Sequence, residues 1–310
     1  LVTIALGISE AATETGVNTT ILQSNQSVSY FLNSAWVISI VRGIGIGLIM
    51  LVLGFFMADF FDNQQLLYLI GAISLAPVIK GFINPARISF HKNLLFFYDT
   101  SYRFALVICE VITAIAFTIW LESVFALVLS VIVTSLFEVL ISFIFIKEWP
   151  KFQYIPVRGN IILEQAGGLS LYTFSTYLSE NVDDFIIGKL SGTTNLGFYH
   201  WGYKLGHLPN YDLGKALSHS TFPVFSKIKT NAARLQIAFT RSMKILLVLV
   251  VVTTIPVHFA SPWAISWLLG PEWVGIIPIL PWLLLAGLVQ SFVNQMYTLL
   301  LALNKHSIIN

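Results

Sequence analysis

Long apolar runs, broken at short intervals by small polar clusters, set the pattern of this chain. Residues 245–271 and 273–304 contain no Asp, Glu, Lys or Arg, and each run exceeds the roughly 20 residues a helix needs to cross hydrocarbon. Marking every such run predicts about nine transmembrane helices: 1–17, 35–58, 66–83, 104–120, 124–146, 162–188, 196–222, 245–269 and 276–303. The fold class expected is an all-α polytopic membrane protein.

Composition agrees with the pattern. Hydrophobic residues make up 56% and charged residues 10% of the 310 residues, against about 25% charged in a soluble domain. A water-soluble fold is excluded on these numbers. One cysteine, Cys109, gives neither a disulfide framework nor a cysteine-based metal site. A net charge of +2 offers no reason to expect a nucleic-acid partner. The chain opens on Leu1, already apolar, without a charged leader or cleavage site. It stops at Asn310, just after a span, and so reads as a piece of a longer protein, with at least one helix ahead of it and more behind.

The position of the charges orients the spans. Arg87, Lys92 and Arg103, then Lys147, Lys151 and Arg158, then Lys227, Lys229, Arg234, Arg241 and Lys244, then Lys305 fall on alternate connections. The opposite connections hold Asp59, Asp62, Glu122, Lys189 and Glu272. The basic set is cytoplasmic by the positive-inside rule. Near mid-chain, Pro150, Pro156 and Gly159 sit among basic residues. The expected organisation is an N-terminal helical lobe over 1–146, a cytoplasmic linker over 147–161 and a C-terminal helical lobe over 162–310. Two lobes of even helix number would be parallel repeats. Gly81-Phe-Ile-Asn84 and Ser291-Phe-Val-Asn294 are a faint echo of such a repeat.

Ionisable groups inside spans are costly and mark cavities or pairs. Glu10 and Glu14 lie one helical turn apart and could hold a proton or cation, or be hydrated at a helix end. Arg42 lies about 12 Å into its span at 1.5 Å per residue; its planar fork suits a phosphate, with snorkelling to the headgroups as the alternative. Lys80, close to a helix end, reads as snorkelling. Glu110 and Glu138 read as interhelical hydrogen-bonding groups. Ser170, Thr173, Thr176, Glu180 and Asp184 share one helix face, with Asp183 beside them, and His200, Lys204, His207, Tyr211 and Lys215 share the next. These two stripes either line a cavity or pair with one another. Gly43, Gly45 and Gly47 lack the strand a dinucleotide loop requires and read as helix packing. No metal cluster, nucleophile constellation or cofactor motif is found.

At the polar pair of helices a family resemblance emerges. Tyr177-Leu-Ser-Glu-Asn-Val-Asp183-Asp184-Phe-Ile-Ile-Gly188-Lys189, Leu196-Gly197-Phe-Tyr199, Tyr203-Lys204-Leu205, Pro209 and Phe222-Pro223-Val-Phe-Ser226-Lys227 resemble polysaccharide flippases of the Wzx/WzxC type. These belong to the multidrug/oligosaccharidyl-lipid/polysaccharide exporter superfamily. Glu14-Thr-Gly16, Gly270-Pro-Glu-Trp273 and Leu301-Ala-Leu-Asn-Lys305 fit the same pattern. The resemblance implies two lobes around a central cavity in the bacterial inner membrane. It implies alternating access, and a lipid-linked oligosaccharide carried on undecaprenyl pyrophosphate as cargo. Arg42, Lys204, Lys215 and His200 are then the substrate-binding candidates. Glu14, Glu180, Asp183 and Asp184 are the candidates for coupling to protons or sodium, or for gating. Glu180 stands where a basic residue is common and Lys204 replaces an Arg, so the cavity's charge pattern does not carry over. The alternatives are a multidrug exporter of the same superfamily, which would need an acidic cavity, and a membrane polymerase or ligase, which would need a large outer loop.

Overall fold

In a computed structural model the described residues are predominantly α-helical, and no strand occurs among them. The structure describes residues 2–12, 16–24, 26–146, 148–207 and 211–303. The elements are α1 (Val2–Ala12), α2 (Val17–Gln23), α3 (Val28–Phe60), α4 (Gln65–Ile73), α5 (Leu75–Lys80), a 3-10 turn (Pro85–Ile88), α6 (Ser89–Lys92), α7 (Phe96–Leu121), α8 (Phe125–Phe145), α9 (Pro156–His207), α10 (Tyr211–Ile228), α11 (Ala232–Leu268), a second 3-10 turn (Pro271–Ile276) and α12 (Leu280–Ala302). Among the described residues five helices, α3, α7, α8, α11 and α12, are long and apolar enough to span a membrane. The pair Gln65–Lys80 and Pro85–Lys92, bent by 71°, makes a sixth candidate. The predicted runs 1–17, 162–188 and 196–222 do not pass as spans among the described residues: α1 is short, and the helices of the two polar stripes hold too many polar and charged residues.

Residues 1–183 and 184–310 form two units. The sequence places its lobe boundary earlier, in the linker at 147–161. That segment is tied to α3: the Lys151 N–H donates to Asn33 Oδ1 at 2.9 Å, the Ile155 N–H to Ser34 Oγ at 3.0 Å, and Arg158 to the Tyr30 carbonyl at 3.0 Å. The Arg158 guanidinium also covers the Tyr30 ring at 4.3 Å.

In the first unit, α3 buries a stripe at Phe31, Ala35, Ile38, Ile46, Met50 and Met57 and turns Val41, Leu48, Val52, Phe55 and Phe56 outward. Apolar side chains on the outer surface are what a lipid-facing helix needs. Small residues mark where its backbone meets α5. A Cβ on Gly43 would lie 2.5 Å from the Pro77 carbonyl oxygen, and one on Gly47 would lie 2.6 Å from Val78, whereas Gly45 has open space. Asn84, fully buried, fixes the sharp bend after α5. Its Oδ1 accepts from Ala86 N at 3.0 Å, its Nδ2 donates to the Glu148 carbonyl at 2.8 Å, and its N–H donates to Ser142 Oγ at 3.0 Å. Lys92 then donates to the carbonyls of Ile21, Ser24 and Gln26, pinning the end of α2.

In the second unit, α9 contains a non-helical residue, Gly192, with φ 84° and ψ 169°. An L side chain would be strained there, so the chain reverses at this residue and residues 193–207 form a separate helix. The reversal lies in the short stretch between the two polar stripes. α12 packs against that helix and α10 at Gly206 and Gly214, where a Cβ would meet Leu283 at 2.9 Å and Ser291 at 2.8 Å. Gln295 of α12 is fully buried and saturated. Ser218 Oγ donates to its Oε1, and its Nε2 donates to Thr221 Oγ1 and Ser242 Oγ, each at 3.0 Å. Trp263, Trp267 and Trp282 stay exposed near one end of α11 and α12, as aromatic anchors at a membrane interface do.

Candidate functional site

The 71° bend after α5 folds two basic residues of the expected cytoplasmic loop back toward α3. The result is a cavity of about 440 Å³ in the first unit, lined among others by Arg42 of α3, Lys80 of α5, Arg87 of the 3-10 turn, His91 of α6 and Arg103 of α7. Among the described residues Glu10 is the one acid that lines it. This volume falls within the range of small-ligand clefts.

The cations are held differently. Arg42, half-buried, donates to the Glu10 carbonyl at 3.1 Å, a contact that aims the guanidinium. Arg87 pairs with Glu138 of α8 at 2.7 Å and stands 5.2 Å from the Tyr102 ring centroid, while Tyr102 Oη donates to the Glu138 carbonyl at 3.2 Å. Arg103 pairs with Asp99 one turn earlier at 2.7 Å, and His91 Nε2 lies 3.1 Å from the other oxygen of Asp99 and 3.3 Å from Arg103. These carboxylates neutralise much of the charge of Arg87 and Arg103 while fixing their direction. The Lys80 side chain makes no ion pair or hydrogen bond among the described residues. Its ammonium is the cation most available to an anion entering the cavity, because breaking an existing pair costs nothing there.

Sequence reasoning singled out Arg42 but assigned Lys80 to snorkelling and counted Arg87, His91 and Arg103 only as loop charge. Gly81 and Pro85, flanking a lone Asn at a span end, are the signal that such a loop turns back. Glu138 forms the interhelical contact expected of it, and Glu110 is exposed.

In the second unit, the reversal at Gly192 brings two predicted residues together: His200 Nδ1 lies 3.3 Å from Asp184 Oδ2, with Asp184 buried. Lys204 is exposed and its ammonium lies 5.4 Å from the Trp201 ring centroid. Trp201 meets Trp273 edge-on at 6.0 Å, and Tyr203 stacks on His207 at 3.7 Å. Lys215 is exposed on α10. Glu180 is exposed and Asp183 half-buried at the end of the first unit. Glu14 lies outside the described residues. Among the described residues no three His, Cys, Asp or Glu side chains converge as metal ligands.

A family model described as polysaccharide biosynthesis protein matches residues 1–278. The chain belongs to that family. Within it, the chain is similar to the lipopolysaccharide biosynthesis protein WzxC of Escherichia coli K12, at 24% identity over 96% of this chain and 61% of the relative. It is similar also to the teichuronic acid biosynthesis protein TuaB of Bacillus subtilis, at 22% over 93% and 60%. An uncharacterized membrane protein in the cps region of Klebsiella pneumoniae matches at 20% over 97% and 63%. The chain thus spans about three fifths of the length of the curated relatives it matches. No solved structure matches it. A multi-pass membrane protein of the polysaccharide biosynthesis family, consistent with the inner membrane, accounts for both the apolar helices and the relatives.

Proposed function

We propose that the protein is a flippase, not an enzyme, that moves an undecaprenyl-pyrophosphate-linked oligosaccharide from the cytoplasmic to the outer leaflet by alternating access between two helical lobes. The observation that carries this reading is the cavity of the first unit that gathers Arg42, Lys80, Arg87 and Arg103. A pyrophosphate cannot enter hydrocarbon bare, and a wet cavity lined with cations substitutes for its hydration while the polyprenyl tail stays in lipid. The names of the relatives, drawn from lipopolysaccharide and teichuronic acid synthesis, support a surface glycan as cargo.

In this reading Arg42 and Lys80 contact the phosphates, and Arg87 and Arg103, held by their carboxylates, set the field. Lys204, Lys215 and His200 contact the cargo at a later stage of the cycle. Glu14, Glu180, Asp183 and Asp184 are the groups through which protons or sodium would drive or gate transport. The contact of His200 with Asp184 at 3.3 Å sets a residue of the cargo-binding group against one of the coupling group. The test is export of surface polysaccharide by Arg42→Ala and Lys80→Ala. Both should fall well below Lys151→Ala at equal membrane abundance. Normal export by both variants would remove the cavity from the transport path.

A further inference from the structure

A second basic region lies apart from the cavity, at the cytoplasmic end of the second unit. Lys227, Lys229, Arg234, Arg241 and Lys244 are all exposed, and no Asp or Glu occurs from 213 to 271. None of the five has a side-chain hydrogen bond or ion pair among the described residues. Excess positive charge at this end is ordinary. What is not ordinary is its setting, because Arg234 and Arg241 border an apolar groove of about 380 Å³ between α10 and α11, lined by Val224, Phe225, Ile237 and Ile245. Phe225, the buried member of its lining, packs beneath it in a core cluster with Leu235 and Ala302 of α12. Val224, Ile237 and Ile245 stay exposed, so the groove opens to the side, toward the acyl region.

We propose that this groove is a binding site for an anionic diacyl phospholipid of the cytoplasmic leaflet. The headgroup phosphodiester sits between Arg234 and Arg241, and one acyl chain lies along Val224, Ile237 and Ile245. Charge complementarity selects the occupant: two arginines seven residues apart on one helix face, two turns of about 5.4 Å each, can reach one phosphate from either side. Basic pockets between membrane helices bind acidic headgroups in this way. A neutral phospholipid would satisfy the groove but leave the arginines unneutralised. The proposal holds whatever the cargo of the cavity is.

The test is phosphatidylglycerol binding to the purified full protein in phosphatidylcholine nanodiscs, read by native mass spectrometry and by the shift in melting temperature. The parent should retain phosphatidylglycerol about tenfold over phosphatidylcholine. Arg234→Gln with Arg241→Gln should lose that preference, and Arg234→Lys with Arg241→Lys should keep most of it. Val224→Trp, which fills the groove without touching the charges, should also weaken retention. Equal retention of the two lipids by the parent would overturn the proposal. So would an unaltered preference in the Gln pair, or in Val224→Trp. Displacement of the lipid by free glycerol phosphate at equal concentration would overturn it too, since the acyl chain would then contribute nothing.

Discussion

Two polar clusters, one in each unit, are built in opposite ways. In the first, the polar groups are charged and surround open volume: Arg42, Lys80, Arg87 and Arg103 line a cavity, and Glu138 and Asp99 behind it balance part of the charge. In the second, the buried polar cluster is neutral and closed. Gln295 meets Ser218, Thr221 and Ser242 with every amide group used. Both arrangements tie three or more helices together, and both begin with close backbone approach at small residues. The difference lies in what is left over. A saturated amide cluster has no bonding capacity for a ligand, whereas an ammonium without a partner in a wet cavity does. One polar region therefore reads as structure and the other as site.

The largest effect expected is that of Arg42→Ala combined with Lys80→Ala. At about 1.5–3 kcal/mol for each charge-assisted hydrogen bond, losing two should cut polysaccharide export about a hundredfold or more, with the protein still folded and in the membrane. Gly43→Val should act on stability instead. The Pro77 carbonyl stands where the new Cβ must go, and overpacking of this kind costs about 1–3 kcal/mol, whereas Gly45→Val should be silent in the same melting experiment. Gln295→Leu should lower the melting temperature too, by the equivalent of about 1–2 kcal/mol at roughly 0.6 kcal/mol for each interhelical hydrogen bond in a membrane. Export per folded molecule should be unchanged. A Gln295→Leu protein that melts normally but fails to export would reverse the comparison. The smallest effect is expected for Glu138→Gln: Arg87 keeps a hydrogen-bonding partner but loses its counter-charge, and a change in export of only a few-fold should follow.

Much of this was legible in the sequence because hydrocarbon imposes a simple rule. Predicted runs 104–120 and 124–146 meet helices Phe96–Leu121 and Phe125–Phe145 with an error of a turn or two. The early start of α3 at Val28 was hidden by Asn33 and Ser34, polar residues whose purpose is to hold 151–155. The depth of Arg42, counted from residue 35, changes with the start of α3 at Val28, seven residues earlier. Its companions could not be counted along one helix, because they reach it only through the bend at 81–85, which depends on Asn84 finding Ser142 and the Glu148 backbone. Gln295 carries no charge to mark it, since an amide in an otherwise apolar helix leaves the hydropathy pattern almost unbroken. Counting residues from the connection at 189–195 puts Glu180 level with Lys204 and favours that pair, whereas the contact found is that of Asp184 with His200, and Lys204 stands over the Trp201 ring.

The claim at the centre of this account is that the cavity of the first unit binds the phosphate of a lipid-linked sugar, with Lys80 as its available cation. Titration of the purified full protein with undecaprenyl pyrophosphate, comparing the parent, Lys80→Gln and Gln295→Leu, tests it without depending on the rest of the transport cycle. The account predicts saturable binding that weakens about tenfold in Lys80→Gln, the loss of one charge-assisted contact, and does not change in Gln295→Leu. Binding to Lys80→Gln as tight as to the parent would contradict it.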